Sequence, residues 1–210
     1  MRILTGKEAN DFLAGLGVDA AYCVLVKSLE EARKKLGGFS FPLVLKTISK
    51  NVIHKTEIGG VKIAKNREEF TKKFNELLED AKKHKIKPDH IMMQEYVDGV
   101  ELIIGLKKDQ TFGHVIMLGF GGIYVEAVRD VTFRVCPIND RDASKMIEDL
   151  KSRDILLDGR RNFDLEKLRK TLMKISKIPQ KKKGLLELDV NPIMIQEDKL
   201  KAVDVRVILE

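Results

Sequence analysis

The sequence predicts an α+β protein built as two lobes, and three observations carry that expectation. Strand-like and helix-like segments interleave along the chain. Several neighbouring strands are joined by turns too short to hold the crossover that a doubly wound parallel sheet requires. The chain also closes on a strand pair, residues 185–210, whose side chains alternate with a period of two. With 210 residues, 43% of them hydrophobic and 34% charged, it can bury a core in one domain or in two small lobes.

The elements follow in order. Residues 5–16 read as a short helix, with Thr5 as N-cap, Glu8 completing a capping box and Gly17 ending it. A strand follows at 21–26, a helix at 29–36 and a break at Gly37-Gly38. The apolar run 41–45 predicts a central strand closing on Lys46. A polar loop spans 47–60, and a strand 61–64. Residues 67–83 predict an amphipathic helix, with Phe70, Phe74, Leu77 and Leu78 inward and a basic, solvated outer side. Then come a strand at 91–95, the turn signal Asp98-Gly99 and a strand at 100–106. Strands at 112–119 and 123–128 flank Gly121-Gly122, and 131–135 reads as another. Helices are expected at 141–152 and 165–178, and 179–184 is a connector.

Composition excludes several classes. The net charge of +7 comes from 39 basic residues mixed with 32 acidic ones, so it suits an anionic small molecule, an acidic partner or RNA. Cys23 and Cys136 stand far apart and outside any CxxC pattern, which argues against a disulfide framework or a zinc site. A reducing, cytoplasmic setting fits. The sequence shows neither a signal peptide nor an apolar run of about 18 residues, so no membrane span is expected. The G-x-x-x-x-G-K-[ST] and G-x-G-x-x-G fingerprints are also missing.

The closing strand pair carries the most specific chemistry. Glu187, Asp189 and Asn191 share one face; on the return strand Asp204 and Arg206 share another, opposite Val203, Val205, Val207 and Leu209. A turn centred on Glu197-Asp198 sets Asn191 opposite Asp204 and Asp189 opposite Arg206. A slip of one residue would put Asp204 beside Val190 and bury a charge. Opposed Cβ atoms lie about 4.5–5.5 Å apart, so two side-chain oxygens can share a hard cation such as Mg²⁺. A wet strand face with an ordinary Asp–Arg pair fits the same pattern.

Further candidates each have a plain alternative. Lys46 can aim an ammonium at phosphates or simply snorkel from the end of a sheet. Gly59-Gly60 and Gly119, Gly121 and Gly122 can bring backbone amides to phosphate oxygens or merely form turns. Glu95 and Glu101 flank the Asp98-Gly99 turn, where a ribose diol would want a carboxylate acceptor and an exposed strand end would also carry one. His54 lies between a lysine and a glycine pair, where an imidazole can act as nucleophile toward phosphorus or as an ordinary loop residue.

Five motifs in unbroken order bring in a resemblance: Pro42-Leu-Val-Leu-Lys46; Ile53-His54-Lys55-Thr56 with Gly59-Gly60-Val61-Lys62; Gln94-Glu95 with Glu101-Leu-Ile-Ile-Gly105; Gly119-Phe-Gly121-Gly122-Ile-Tyr-Val-Glu126; and Glu187-Leu-Asp189-Val-Asn191-Pro192 with Asp204. From about Glu8 to Leu209 the chain resembles the ATP-grasp β subunit of ADP-forming acetyl-CoA synthetases. The wider group includes the nucleotide-binding part of succinyl-CoA synthetase. Two stretches depart from the pattern: Ser49-Lys50-Asn51 stands where the family often reads Ser-Pro-Asp, and Gly159-Arg160-Arg161-Asn162 where it reads Gly-x-Arg-Gly.

The resemblance implies an ATP-grasp fold, with a smaller lobe at 20–97, a second lobe at 98–210 that takes in residues 1–19, and a nucleotide cleft between them. Lys46 would contact ATP phosphates and Gly59-Gly60 would lie in the loop covering them. Glu95 and Val97 would hold adenine through their backbone, and Glu101 the ribose hydroxyls. Asn191 and Asp204 would hold Mg²⁺, and His54 would take part in phosphoryl transfer. Gly121, Gly122 and Arg134 are further phosphate candidates.

The resemblance further implies the interconversion of acyl-CoA, phosphate and ADP with a free acid, CoA and ATP. With no Rossmann-type CoA-binding unit in view, the chain is expected to be half an enzyme. Its partner would be an α subunit carrying the CoA-binding and phosphohistidine domains, in an α2β2 heterotetramer, with neither nucleic acid nor membrane as partner. The rival readings are a ligase for another acid, a non-catalytic nucleotide sensor on the same fold, and a basic RNA-binding protein using the face at 65–87. The last lacks interleaved aromatics, which make up only 6% of the chain.

Overall fold

Local pattern and long-range pairing together build two antiparallel sheets in a computed structural model that describes residues 1–49, 59–122, 130–157 and 163–210. The chain divides into one unit of Ala21–Tyr96 and another of Met1–Ala20 with Val97–Glu210.

In the unit Ala21–Tyr96, β2 (Cys23–Val26), β3 (Leu43–Ile48), β4 (Val61–Ala64) and β5 (His90–Glu95) form a sheet in the order β2-β5-β3-β4. β3 is buried from Leu43 to Thr47 on both faces, which explains its apolar run. It continues past Leu45, so Lys46 lies inside the strand and does not end it. Two helices follow their sequence signals. α2 (Leu29–Lys35) opens on Ser28, whose hydroxyl accepts the Glu31 N–H at 3.2 Å. α3 (Arg67–Lys83) opens on Asn66, whose carbonyl accepts the Glu69 N–H at 2.8 Å, a cap contributing about 1 kcal/mol. Phe70, Phe74 and Leu77 bury against Leu43, Leu45 and Met93; at about 1.5–3 kcal/mol each, packing outweighs the cap. Leu78 is instead 41% exposed, because one residue beyond Leu77 turns roughly 100° off the buried stripe.

The other unit holds a seven-stranded sheet among the described residues. Its strands are β1 (Arg2–Thr5), β6 (Val100–Asp109), β7 (Gly113–Phe120), β8 (Val131–Val135), β9 (Leu185–Gln196), β10 (Lys199–Ala202) and β11 (Val205–Leu209). They run β1-β11-β9-β6-β7-β8, with β10 also on β9. One face carries Leu102, Ile104, Leu106, Ile116, Leu118, Leu188, Val190 and Val207 into a core shared with α1 (Gly6–Ala14), α4 (Asp140–Glu148) and α6 (Leu165–Ser176). Two short helices, α5 (Asp154–Leu157) and α7 (Ile178–Lys181), complete the layer, so the expected connector at 179–184 is partly helical. No described helix is long and apolar enough to cross a membrane.

Three expectations change here. Thr5 ends β1 with extended backbone and its side chain makes no capping bond, while Glu8 is taken by Arg2. β1 itself is four residues long, too short to show a period, and exists through its pairing with β11. The helix expected to reach residue 152 stops at Glu148, because the Asp130 carboxylate draws the N–H groups of Lys151 and Ser152 to 2.7 Å each. The strand expected at 123–128 lies outside the described residues.

Candidate functional site

The closing strands adopt the register that the alternation predicts. Gln196 pairs with Lys199 across the Glu197-Asp198 turn, and Asp189 pairs with Arg206. Between these pairs the Asn191 N–H donates to the Asp204 carbonyl oxygen at 2.9 Å, and the Val203 N–H to that of Pro192 at 2.9 Å. Asn191, in β9, and Asp204, the residue before β11, are therefore neighbours across the hairpin. Against β6, however, β9 carries one extra residue. Val190 pairs with Ile104 and Ile193 with Leu102, so Asn191 and Pro192 together face Ile103. Such a bulge re-aims a side chain and marks many sites. A further shift between Ile208 and Leu209 brings Leu185 into the core, while Leu186 is only half-buried.

Across the helix-free face of this sheet, charges follow the rows set by pairing. Arg206 donates to Glu187 at 2.5 Å, one row away from the Asp189 that it opposes. Burial pushes the Asp189 carboxyl above the usual carboxylate range, and Arg206 partly offsets this. Glu101 stands on the same face, paired with Met194. Gly121 extends the β6–β7 ladder beyond the Leu102–Phe120 pair: its N–H donates to the Glu101 carbonyl at 2.7 Å. That N–H is thus engaged inside the sheet.

In the unit Ala21–Tyr96, Lys46 is 5% exposed and sits in a row with Val61 and Met92, on the face away from Phe70 and Phe74. The Thr47 N–H donates to the Gly60 carbonyl at 2.9 Å, which holds the Gly59-Gly60 pair beside Lys46 in the chain. Gly59 packs on Asp80, where a Cβ would stand 2.9 Å from Oδ2. Asp80 in turn pairs with Lys62 at 2.6 Å and Lys83 at 3.1 Å, which hold its carboxyl below the usual range. The sequence showed Asp80 only as part of a solvated helix side. The Glu95 carboxylate accepts the Tyr22 N–H at 2.7 Å, while the Glu95 N–H donates to the Tyr22 carbonyl at 2.9 Å. Val97 begins the other unit.

Arg134 is not brought to the others. It pairs with Ile116 on the helix-covered face and binds Asp149 at 2.5 Å and the Phe133 carbonyl at 2.8 Å. His54, Ser49-Lys50-Asn51 beyond Ser49, and the Gly159–Asn162 stretch lie outside the described residues. Asp130, 3% exposed, was not singled out in the sequence, where no motif surrounds it. Among the described residues no group of three or more His, Cys, Asp or Glu is arranged to hold a metal. Asp204 Oδ1 accepts the Val205 N–H at 3.1 Å; the Asn191 amide and the Asp204 carboxylate are hard oxygen donors, the type that suits Mg²⁺ better than zinc.

Two α+β units, each built on an antiparallel sheet, are the architecture of a nucleotide-binding class. The family model described as an ATP-grasp domain matches residues 1–209. The chain is 36% identical to the β subunit of an ADP-forming acetate–CoA ligase I from Pyrococcus furiosus, covering 99% of this chain and 92% of that one. The chain therefore belongs to the ATP-grasp β-subunit family of ADP-forming acetate–CoA ligases. It is also 35% identical over 98% of its length to an ADP-forming acetate–CoA ligase I from Archaeoglobus fulgidus, of which it spans only 31%. Among solved structures it superposes on an acetyl-coenzyme A synthetase from Ca. Korarchaeum cryptofilum, in complex with coenzyme A and Ca-AMPCP, with a TM-score of 0.93, 36% identity and coverage of 100% and 94%. Another structure of that synthetase, with Mg-AMPPCP and a phosphohistidine segment pointing towards the nucleotide site, gives 0.85, 35%, 99% and 93%.

Proposed function

We propose that this chain is the nucleotide-handling β subunit of an ADP-forming acyl-CoA synthetase acting on acetate or a related small acid. The observation that carries the reading is the Asn191–Asp204 pair, set by register on the same sheet face as Glu101. ADP or ATP would be the ligand, and the chain would divide into a lobe at 20–97 and a lobe at 98–210 with 1–19. Glu95 and Val97 would present backbone to adenine, Glu101 would accept the ribose hydroxyls, and Lys46 and Gly59-Gly60 would meet the phosphates. Asn191 and Asp204 would hold Mg²⁺, which when bound offsets charge on the phosphate oxygens. A synthetase from Ca. Korarchaeum cryptofilum in complex with Mg-AMPPCP supports a magnesium-bearing nucleotide as the ligand.

The chemistry proposed for this chain is a relay. A His54 ring nitrogen attacks the phosphorus of a phosphohistidine on an α subunit, whose imidazole leaves. An ADP β-phosphate oxygen then attacks phosphorus on His54, releasing ATP and the free imidazole; the reverse sequence runs from ATP. Positioning supplies most of the acceleration, because little covalent work falls to other side chains. The α subunit would carry the CoA-binding and phosphohistidine domains in a cytoplasmic α2β2 assembly. Incubating the chain and its α partner with γ-labelled ATP and Mg²⁺ tests this. Acid-labile label on this chain, lost in His54→Ala, is the expected result; ATP binding without label would reject the relay.

A further inference from the structure

We infer that Gly121 and Gly122 are positioning residues for Glu101, and that through it they set a preference for ribonucleotides over nucleotides lacking the sugar hydroxyls; this rests on the reading of Glu101 as the ribose acceptor. A Cβ at Gly121 would stand 2.9 Å from the Glu101 Cβ and 3.3 Å from its carbonyl carbon and oxygen. At Gly122 it would stand 3.0 Å from Glu101 Oε2 and 3.7 Å from the carboxyl carbon. The two glycines therefore form a floor: the Glu101 stem lies over the first and its carboxylate over the second. Carbon–carbon contacts settle at about 3.5–4.0 Å, so a methyl at either place must push Glu101 away.

That displacement matters because an ionised carboxylate only accepts hydrogen bonds. To receive both hydroxyls of a vicinal diol, its two oxygens must be held in one plane and at one height. Glu101 is exposed and on the helix-free face, so side-chain packing does not fix it. The backbone does, through the glycine floor and the bond from the Gly121 N–H at 2.7 Å. Specificity then comes from the two residues that never touch the sugar.

A plain turn requirement is the competing explanation, since Gly122 has φ +74°, a conformation that favours glycine. Gly113 separates the two. It has φ +76° with nothing within 4 Å of an added Cβ, so Gly113→Ala carries the same backbone strain without touching Glu101. The experiment measures calorimetric affinity of the full chain for ADP and for 2′,3′-dideoxy-ADP, each with Mg²⁺. Wild type and Gly113→Ala should prefer ADP by about tenfold or more, as expected for lost bonds to a charged acceptor. Gly121→Ala and Gly122→Ala should shrink that preference to within about twofold. Alanine variants that keep the wild-type preference would overturn the proposal. So would failure of both to fold while Gly113→Ala folds, because the glycines would then be structural. A wild type that binds both nucleotides equally would instead remove the ribose role of Glu101, and one that binds neither would remove the nucleotide reading itself.

Discussion

The two units treat charge in opposite ways. In Ala21–Tyr96 the reactive candidate is a cation sealed into a strand, Lys46, 5% exposed between Val61 and Met92. In the other unit Glu101, Glu187, Asp189 and Asp204 stand on a sheet face that no described helix covers, with Arg206 among them. An ammonium removed from water costs several kcal/mol unless partnered, whereas an exposed acid such as Glu101 costs little. The lysine is therefore fixed by burial, and the acids are fixed by strand register.

Metal dependence breaks or sharpens this contrast, and it carries the largest expected effect. Asp204→Asn should weaken Mg·ADP binding by at least the roughly 10–100-fold that loss of even an outer metal partner costs. The loss should vanish when the metal is chelated, because only the metal-bridged contact has been removed. Lys46→Met keeps the stem and removes the charge. It should weaken ADP binding by about 10–100-fold, the worth of a charge-assisted hydrogen bond, with or without metal. Calorimetric titration of both variants in Mg²⁺ and in EDTA decides the point; equal metal dependence for the two would erase the distinction.

The next effect is on stability, and it contrasts the open acids with a buried one. Burial alone would raise the Asp130 carboxyl, but the N–H groups of Lys151 and Ser152 more than offset it and hold it below the usual range. A depressed folded value means stabilisation that is complete above the unfolded value, near pH 4, and lost as pH falls through the folded one. Asp130→Asn should cost about 2 kcal/mol at pH 7. In urea unfolding, its gap to wild type should narrow below about pH 4. Asp189 is expected to show the opposite sign: folding raises its carboxyl, so Asp189→Asn should gain stability relative to wild type as pH rises above about 4.

Much of the candidate site was legible because period-two alternation is a local signal with a long-range consequence. Once Glu197-Asp198 is the turn, parity alone puts Asn191 beside Asp204, and a wrong register would bury a charge. The same reasoning could not see the bulge at Asn191-Pro192, which depends on β6 and not on the hairpin. Lys46 was misplaced at a strand end because an apolar run reports burial, and the strand continued through a buried lysine and Thr47. Asp130 and Asp80 were invisible for a related reason: each is defined by partners far away in sequence or on another element, with no motif around it. β1 was missed because four residues cannot display a period.

The smallest effect tests how the helices of the two units begin. α3 in Ala21–Tyr96 starts on a side-chain cap, Asn66 to the Glu69 N–H at 2.8 Å. α1 in the other unit starts on Thr5, whose hydroxyl makes no such bond and whose backbone is committed to the β1–β11 pairing with Arg206. Asn66→Ala should therefore cost about 1 kcal/mol, while Thr5→Ala should stay within about 0.5 kcal/mol. Urea midpoints at constant m-value report both. Equal losses would mean that α1 depends on the capping signal its sequence displays, and that strand pairing with β11 does not hold its first turn in place.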